Sequence, residues 1–156
     1  MSILITGASG FVGKHLINYL RLHQEDRCIG LSRTQLKNSD NVICNLTDRK
    51  QVDRILKQLK PALIYHMAGS FSNDYETDFN SNVVSTKNLL DSIAEQHLST
   101  RILLMGSAAE YGAVEAAKNP VTEEQPLKPI SIYGWTKAAQ TQLASVYFKH
   151  TTNLIT

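Results

Sequence analysis

Ile3-Leu4-Ile5-Thr6-Gly7-Ala8-Ser9-Gly10-Phe11-Val12-Gly13 is the stretch on which the fold turns. A short apolar run, read as a buried strand, meets three glycines at regular spacing, and helical periodicity begins directly beyond them. Glycine there admits a positive φ, lets backbone approach a pyrophosphate, and lets a helix pack closely on a strand. The helix that follows aims unpaired N–H groups and the positive end of its dipole at an anion. Gly7, Gly10 and Gly13 are therefore candidates for a nucleotide phosphate site. Turns of this kind also occur where nothing binds, so the rest of the chain must supply the rest of such a site.

The totals set the frame. A chain of 156 residues fits one domain with a real core. Hydrophobic content of 42%, charged content of 19% and a formal charge of +2 describe an ordinary globular composition. Charge is spread along the chain, with no basic block of the kind that nucleic acid or an anionic membrane would require. No apolar run approaches the roughly 20 residues that span a bilayer. The first strand begins at once, which leaves no room for a signal peptide. Cys28 and Cys44 lack metal-type spacing and are expected to be reduced, buried thiols in a cytoplasmic protein. No metal site is expected.

Strands and helices alternate downstream. Strands are expected at 2–6, 27–31, 42–45, 62–66 and 101–106, with the start of a sixth at 153–156. The first helix, 11–23, turns Val12, Leu16, Tyr19, Leu20 and His23 inward. The second is capped by Thr47 or Asp48, buries Val52, Ile55, Leu56 and Leu59, and ends before Pro61. A long helix over 75–97 buries Phe79, Val83, Leu90, Ile93 and His97. The last, 133–150, buries Trp135, Ala139, Leu143, Val146 and Tyr147. Residues 36–41 read as a polar loop. The loop from Ser107 to Ile132 holds three prolines, Pro120, Pro126 and Pro129, and a connection that long is more often functional than idle. The pattern predicts an α/β fold, a Rossmann-type doubly wound parallel sheet with helices on both faces. Ligands then sit beyond the carboxyl ends of the strands.

The residues in those places fit a dinucleotide. Arg33 follows the second strand, where an acidic side chain usually accepts from the ribose 2′-OH of NAD. A guanidinium there pairs with a 2′-phosphate instead, which favours NADP(H) and leaves NAD(H) open, although a solvated surface arginine looks the same in sequence. Asn45-Leu46 and Ala68-Gly69 follow the third and fourth strands, where an amide meets adenine and small residues leave room for ribose and pyrophosphate. Turn chemistry explains the same residues. His66 reads as a packed strand-end histidine. Tyr133 and Lys137 share one helical face a turn apart. An ammonium beside a phenol stabilises the phenolate and makes it useful in proton transfer. Ser107 ends the fifth strand and can polarise the same carbonyl or alcohol.

Gly7-x-x-Gly10-x-x-Gly13, Asn82-Val-Val-Ser-Thr86, Ser107 and Tyr133-x-x-x-Lys137 together resemble the extended short-chain dehydrogenase/reductases, in particular their nucleotide-sugar branch. His66-Met-Ala-Gly69, Glu110-Tyr111-Gly112 and Pro120-Val-Thr-Glu123 are similar to that branch too. The resemblance implies that Tyr133 exchanges a proton with the sugar O4, that Lys137 holds the nicotinamide ribose and tunes Tyr133, and that Ser107 bonds the reacting oxygen. It implies a structural role near the site for Asn82, and pyrophosphate binding by the glycines with Phe11 and Val12 at the helix entry. Dehydratases of the branch carry acids just after the hydroxyl residue, whereas Ala108 and Ala109 stand here, with Glu110 one place too late. Dehydration is therefore disfavoured, with Glu110 the one acid left open for it. Reduction of a 4-keto sugar is the first expectation and 4-epimerisation the second, ahead of 4,6-dehydration; a non-catalytic NAD(P)-binding module is the alternative of a different class. The run 106–112 and Arg33 look most like the GDP-4-keto-6-deoxymannose reductases. Family members are roughly 300 residues long, so 1–156 is expected to be the cofactor-binding domain without the C-terminal part that binds the nucleotide sugar. The resemblance also implies a homodimer through the long helix and the last one.

Overall fold

A computed structural model describes residues 2–23, 27–36, 41–116 and 119–150, for 149 and 150 the backbone only. Five strands form one parallel sheet: β1 (Ser2–Thr6), β2 (Arg27–Ser32), β3 (Asn41–Ile43), β4 (Leu63–His66) and β5 (Arg101–Leu104). Their order is β3-β2-β1-β4-β5, so the chain winds outward from β1 in both directions. Between the strands lie α1 (Phe11–His23), α2 (Arg49–Leu59), a short α3 (Tyr75–Asp78), a π-helical segment (Phe79–Val84), α4 (Ser85–Glu95) and, after β5, α5 (Ile132–His150).

Both faces of the sheet are covered. Ile3 and Ile5 pack with Ala8, Ile17 and Leu20 on the α1 side, while Leu4 joins Leu56, Ile64, Leu89 and Ile102 on the other. Successive strand residues point to opposite faces, so a strand covered twice reads as an unbroken apolar run. Each such side chain contributes about 2 kcal/mol on full burial. The crevice that opens where the winding reverses lies beyond the ends of β1 and β4.

Several expected helix faces are rotated. On α1 the buried residues are Gly13, Ile17 and Leu20, while Val12, Tyr19 and His23 are exposed. Gly13 is the reason: it lies against the Gly7 loop, and the residues on its own stripe follow it inward. On α5 the buried set is polar and small, Thr136, Lys137, Ala138, Gln140 and Ala144, and Trp135 is 44% exposed with Val146 outside as well. That face looks onto the site. The long helix is broken by its π-helical segment and ends at Glu95. His97, expected inside, is exposed with φ +52°, and Leu98 is buried instead. A left-handed residue after a helix, followed by an apolar contact, is a common way to stop one. Asp48 caps α2, accepting from the Gln51 N–H at 3.2 Å. Strands β3 and β5 stop two residues short of their expected ends. The strand expected at 153–156 lies outside the described residues, as does most of the 36–41 loop.

α5 is tied down from behind. Arg49 on α2 bonds Asp53 at 2.7 Å, Asp91 at 2.9 Å and Glu95 at 2.7 Å, and Tyr147 of α5 donates to the same Asp91. Partly exposed pairs contribute little one at a time. Here Asp91 on α4 is shared, bonded from α2 by Arg49 and from α5 by Tyr147.

Candidate active site

The glycine turn is built as a cradle. Gly7 has φ +65°, and a Cβ on it would lie 2.8 Å from the backbone of Met67 and Ala68. A Cβ on Gly13 would lie 2.3 Å from the Gly7 oxygen. The Gly10 N–H donates to the same oxygen at 2.9 Å, and the Ala8 N–H reaches Leu31 O at 3.0 Å. Beside this turn opens a cavity of about 270 Å³ lined by Gly7, Gly10, Arg33, Asn45, Leu46, Ala68 and Gly69, all expected from sequence. Ser9, Ser70, Ser81 and Ser85 add hydroxyls to its wall. Sequence reasoning missed these, although Ser81 and Ser85 sit one turn apart on an expected helix. Phe11, Val12 and Gly13, also expected at the site, lie on α1 and do not line the cavity. The cavity presents groups that a dinucleotide could use: hydroxyls at the glycine turn, small residues at 68–69, and a cation at 33.

Three residues expected at the site are used in ways the sequence did not show. Asn45 is exposed, but its Oδ1 already accepts from Thr47 N at 3.1 Å and Thr47 Oγ1 at 2.9 Å. The oxygen expected to accept from adenine is therefore spent on a turn, and the amide Nδ2 is the group left to donate. Arg33 is exposed on the rim and has no ion-pair partner among the described residues. Asn82 does not line the cavity. Fully buried in the π-helical segment, it accepts from Ser70 N at 2.9 Å and donates to Ser70 O at 3.0 Å and Thr136 Oγ1 at 2.9 Å. Thr136 in turn donates to Tyr133 O at 2.8 Å. Asn82 thus joins the loop after β4 to the first turn of α5. π-helical turns recur at functional sites, and this one lets a single residue serve two elements.

The structure brings Ser107, Tyr133 and Lys137 to one end of the sheet. Lys137 is 5% exposed and donates to the Met105 carbonyl, just before Gly106-Ser107, and to Gln140 Oε1. Burial pushes its ammonium down to about 8, and the Glu110 carboxylate acts in the opposite direction. Tyr133 is half-buried; its ring meets Phe71 edge to face at 4.8 Å and its N–H reaches Asn73 Oδ1 at 3.4 Å. Gly134 holds this turn against 107–110, since a Cβ there would stand 2.5 Å from Ala109 O. The Phe71–Asn73 loop is anchored by buried Asp78, which accepts from Ser72 N, Ser72 Oγ and Asn73 N at 2.9, 2.8 and 2.9 Å. Burial works against its charge, yet these hydrogen bonds hold the carboxyl below the usual range.

Glu110 has a different task from the one an acid/base would need. It is 5% exposed; Oε1 accepts from Ser107 N at 2.7 Å and Oε2 from Thr141 Oγ1 at 2.8 Å. With Ser107 it forms a capping box around Ala108–Glu110. Both oxygens are engaged by the protein, so the acid left open by sequence spacing is a strut between β5 and α5. Both cysteines are buried and outside any disulfide, and burial, with Asp48 adding to it, pushes the Cys44 thiol up to about 11. Among the described residues no group of His, Cys, Asp and Glu could hold a metal ion, and no helix is long and apolar enough to cross a membrane.

Residues 3–155 match the model of the NAD dependent epimerase/dehydratase family. The GDP-6-deoxy-D-talose 4-dehydrogenase of Aggregatibacter actinomycetemcomitans is 30% identical over 151 residues, 94% of this chain and 48% of that protein. A dTDP-glucose 4,6-dehydratase of Haemophilus influenzae is 25% identical over 176 residues, 96% of this chain and 52% of that one. The crystal structure of the Thermus thermophilus UDP-glucose 4-epimerase complexed with NAD superposes with a TM-score of 0.87 at 24% identity, over 99% of this chain and 53% of that one. The chain spans about half the length of these relatives.

Proposed function

The chain belongs to the NAD-dependent epimerase/dehydratase family, and on that footing we propose that it is the cofactor-binding part of an NADP(H)-dependent enzyme that reduces the 4-keto group of a nucleotide-bound 6-deoxy sugar. The observation that carries the reading is the pairing of an intact Ser107, Tyr133 and Lys137 with a missing acid: Ala108 and Ala109 do no proton chemistry, and both Glu110 oxygens are engaged. Elimination of water needs that acid, whereas reduction does not. The 30% identity to a protein named for 4-dehydrogenation of a GDP-6-deoxy sugar supports the same position and sugar class.

A bound nicotinamide supplies the hydride pair. Gly7, Gly10 and the first turn of α1 would hold its pyrophosphate, Leu46, Asn45 and Ala68 its adenosine side, and Lys137 its ribose. The Ser107 hydroxyl donates to the sugar carbonyl oxygen and holds it facing Tyr133. The Tyr133 hydroxyl gives its proton to O4 as C4 is reduced, and the nearby ammonium of Lys137 stabilises the phenolate left behind. Each of these groups acts only as charge develops on O4, which is where transition-state stabilisation is gained. The sugar nucleotide itself would be held largely by chain beyond the described domain. Consumption of NADPH by the complete enzyme with GDP-4-keto-6-deoxymannose tests the reaction. A 4-epimerase is the second reading, favoured by solved relatives whose crystals hold NAD. It requires NAD to stay bound through purification, so NAD released from the protein and identified by mass would replace the reductase reading.

Arg33 carries the choice of cofactor. In Arg33→Ala the affinity for NADPH should fall at least tenfold, since a hydrogen-bonded charge contributes about 1.5–3 kcal/mol. NADH affinity should stay within about threefold by the same accounting. Equal losses for both cofactors would remove the argument for NADP(H).

The reading extends to a cytoplasmic homodimer. Tyr75, Phe79 and Trp135 stack in a surface cluster, with ring centroids 5.6, 5.9 and 6.1 Å apart, on the helices that the family resemblance assigns to the dimer. Sedimentation of the complete protein should give a dimer, and Trp135→Glu a monomer. A Trp135→Glu protein that sediments as a dimer sinks this interface.

A further inference from the structure

A chain of buried hydrogen bonds runs from Lys137 through the sheet to the cofactor cavity, and its polarity is fixed at one end. The Lys137 ammonium only donates, so the Gln140 atom facing it is the oxygen. Gln140 Nε2 then donates to Thr86 Oγ1 at 2.8 Å. Thr86 spends its one hydroxyl proton on Asn82 O at 2.6 Å, which leaves Oγ1 an acceptor toward His66 Nε2 at 3.0 Å. His66 must therefore carry its proton on Nε2. Burial and the charge of Lys137 push its imidazolium down to about 3, so the ring is neutral and Nδ1 accepts. Thr6 Oγ1 donates to Nδ1 at 2.7 Å and accepts from Ala68 N at 3.0 Å, on the cavity wall. His66, Thr6 and Thr86 are fully buried, and Gln140 nearly so.

We propose that Gln140, Thr86 and His66 are positioning residues for Lys137: a relay that holds its ammonium in one orientation and ties it to the main chain of the cofactor cavity at Ala68. Two of the three ammonium protons are fixed, on Met105 O and Gln140 Oε1. The third has no acceptor among the described residues and is aimed by the other two. A lysine on a flexible stem loses rotamer freedom when it is held this way, and the cost is met on folding rather than at each turnover. The relay rests on the reading of Lys137 as partner of Tyr133. None of its bonds needs substrate.

The test has a spectroscopic part and a kinetic part, both on the complete enzyme. Histidine-ring ¹H–¹⁵N correlations should show His66 protonated on Nε2, bare on Nδ1, and unchanged from about pH 5 to about pH 8. Protonation on Nδ1, or titration in that range, overturns the relay, and this measurement needs no variant. The Lys137 Nζ–H signal should be visible in the wild type, lost in Gln140→Leu, and kept in Gln140→Glu, which restores an acceptor. In turnover Gln140→Leu should lower kcat about tenfold or more with the KM for the sugar nucleotide nearly unchanged, and Gln140→Glu should recover most of it. Retention of the Nζ signal and kcat in Gln140→Leu overturns the proposal. A protein that gives the expected spectra but reduces no 4-keto sugar sinks the proposed reaction and leaves the relay standing.

Discussion

Tyr133→Phe in the complete enzyme is expected to lower kcat by about a thousandfold, within the span that a lost general acid commonly costs. The substitution removes one oxygen. The ring that meets Phe71 edge to face at 4.8 Å stays, and so does the Tyr133 N–H contact to Asn73. Packing of the loop after β4 against α5 should therefore survive, and NADPH affinity should stay within about threefold, because Lys137 keeps its own partners. Loss confined to kcat would identify the hydroxyl as a group used only in the transition state. Steady-state NADPH oxidation, with cofactor binding measured separately, reads both quantities. Wild-type turnover in Tyr133→Phe would sink the proton-donor role, whatever sugar is used.

Gly13→Ala should be as damaging by an entirely different route. The new Cβ would stand 2.3 Å from Gly7 O, 2.9 Å from Gly7 C and 3.1 Å from Ala8 Cα, all main-chain atoms, whereas ordinary contact begins at 3.4 Å. No side chain can swing aside. Helix α1 has to retreat by about an ångström, and a shift of that size in a positioned group costs on the order of a hundredfold. The N–H groups of the first turn then no longer meet the pyrophosphate in register. Overpacking of a tight contact also costs about 1–3 kcal/mol of stability. Calorimetric titration with NADPH should show at least a hundredfold weaker binding, with a lower melting temperature. Gly10→Ala is the control: its Cβ would meet one atom, Gly7 O, at 3.2 Å. Its loss of melting temperature should be markedly smaller, and equal losses of melting temperature at 10 and 13 would contradict the packing argument.

Much of the site was legible because it is local. Gly7, Gly10 and Gly13 lie within one turn, Tyr133 and Lys137 share a helix face, and Arg33, Asn45, Ala68 and Gly69 follow strands directly. Proximity in sequence puts such residues at the rim with no knowledge of packing. The working face of α5 was not legible in the same way. Its apolar residues, Trp135 and Val146, suggest an inner stripe, yet the element opposite is a polar relay, and those side chains face outward. Periodicity measures which residues could face a hydrophobic core; here the later turns do so, through Leu143, Ala144 and Tyr147, while Lys137 and Gln140 earlier in the helix turn to a site instead.

The sequence by itself determined the alternation of strand and helix, the glycine cradle, the intact Ser107, Tyr133 and Lys137, and the lack of acids at 108 and 109. The glycines, the Tyr133–Lys137 pair and the alanines follow from residues a few positions apart, where backbone geometry alone decides what can meet; Ser107 joins them through the family resemblance. Tertiary structure decided that Glu110 is a strut, that the Asn45 oxygen is spent on its own turn, and that His66 is the neutral centre of a relay. His66 meets Thr6 across 60 residues, and Gln140 meets Thr86 across 54. A donor or acceptor takes its role from the partner that folding brings to it, and for a buried side chain that partner comes from elsewhere in the chain.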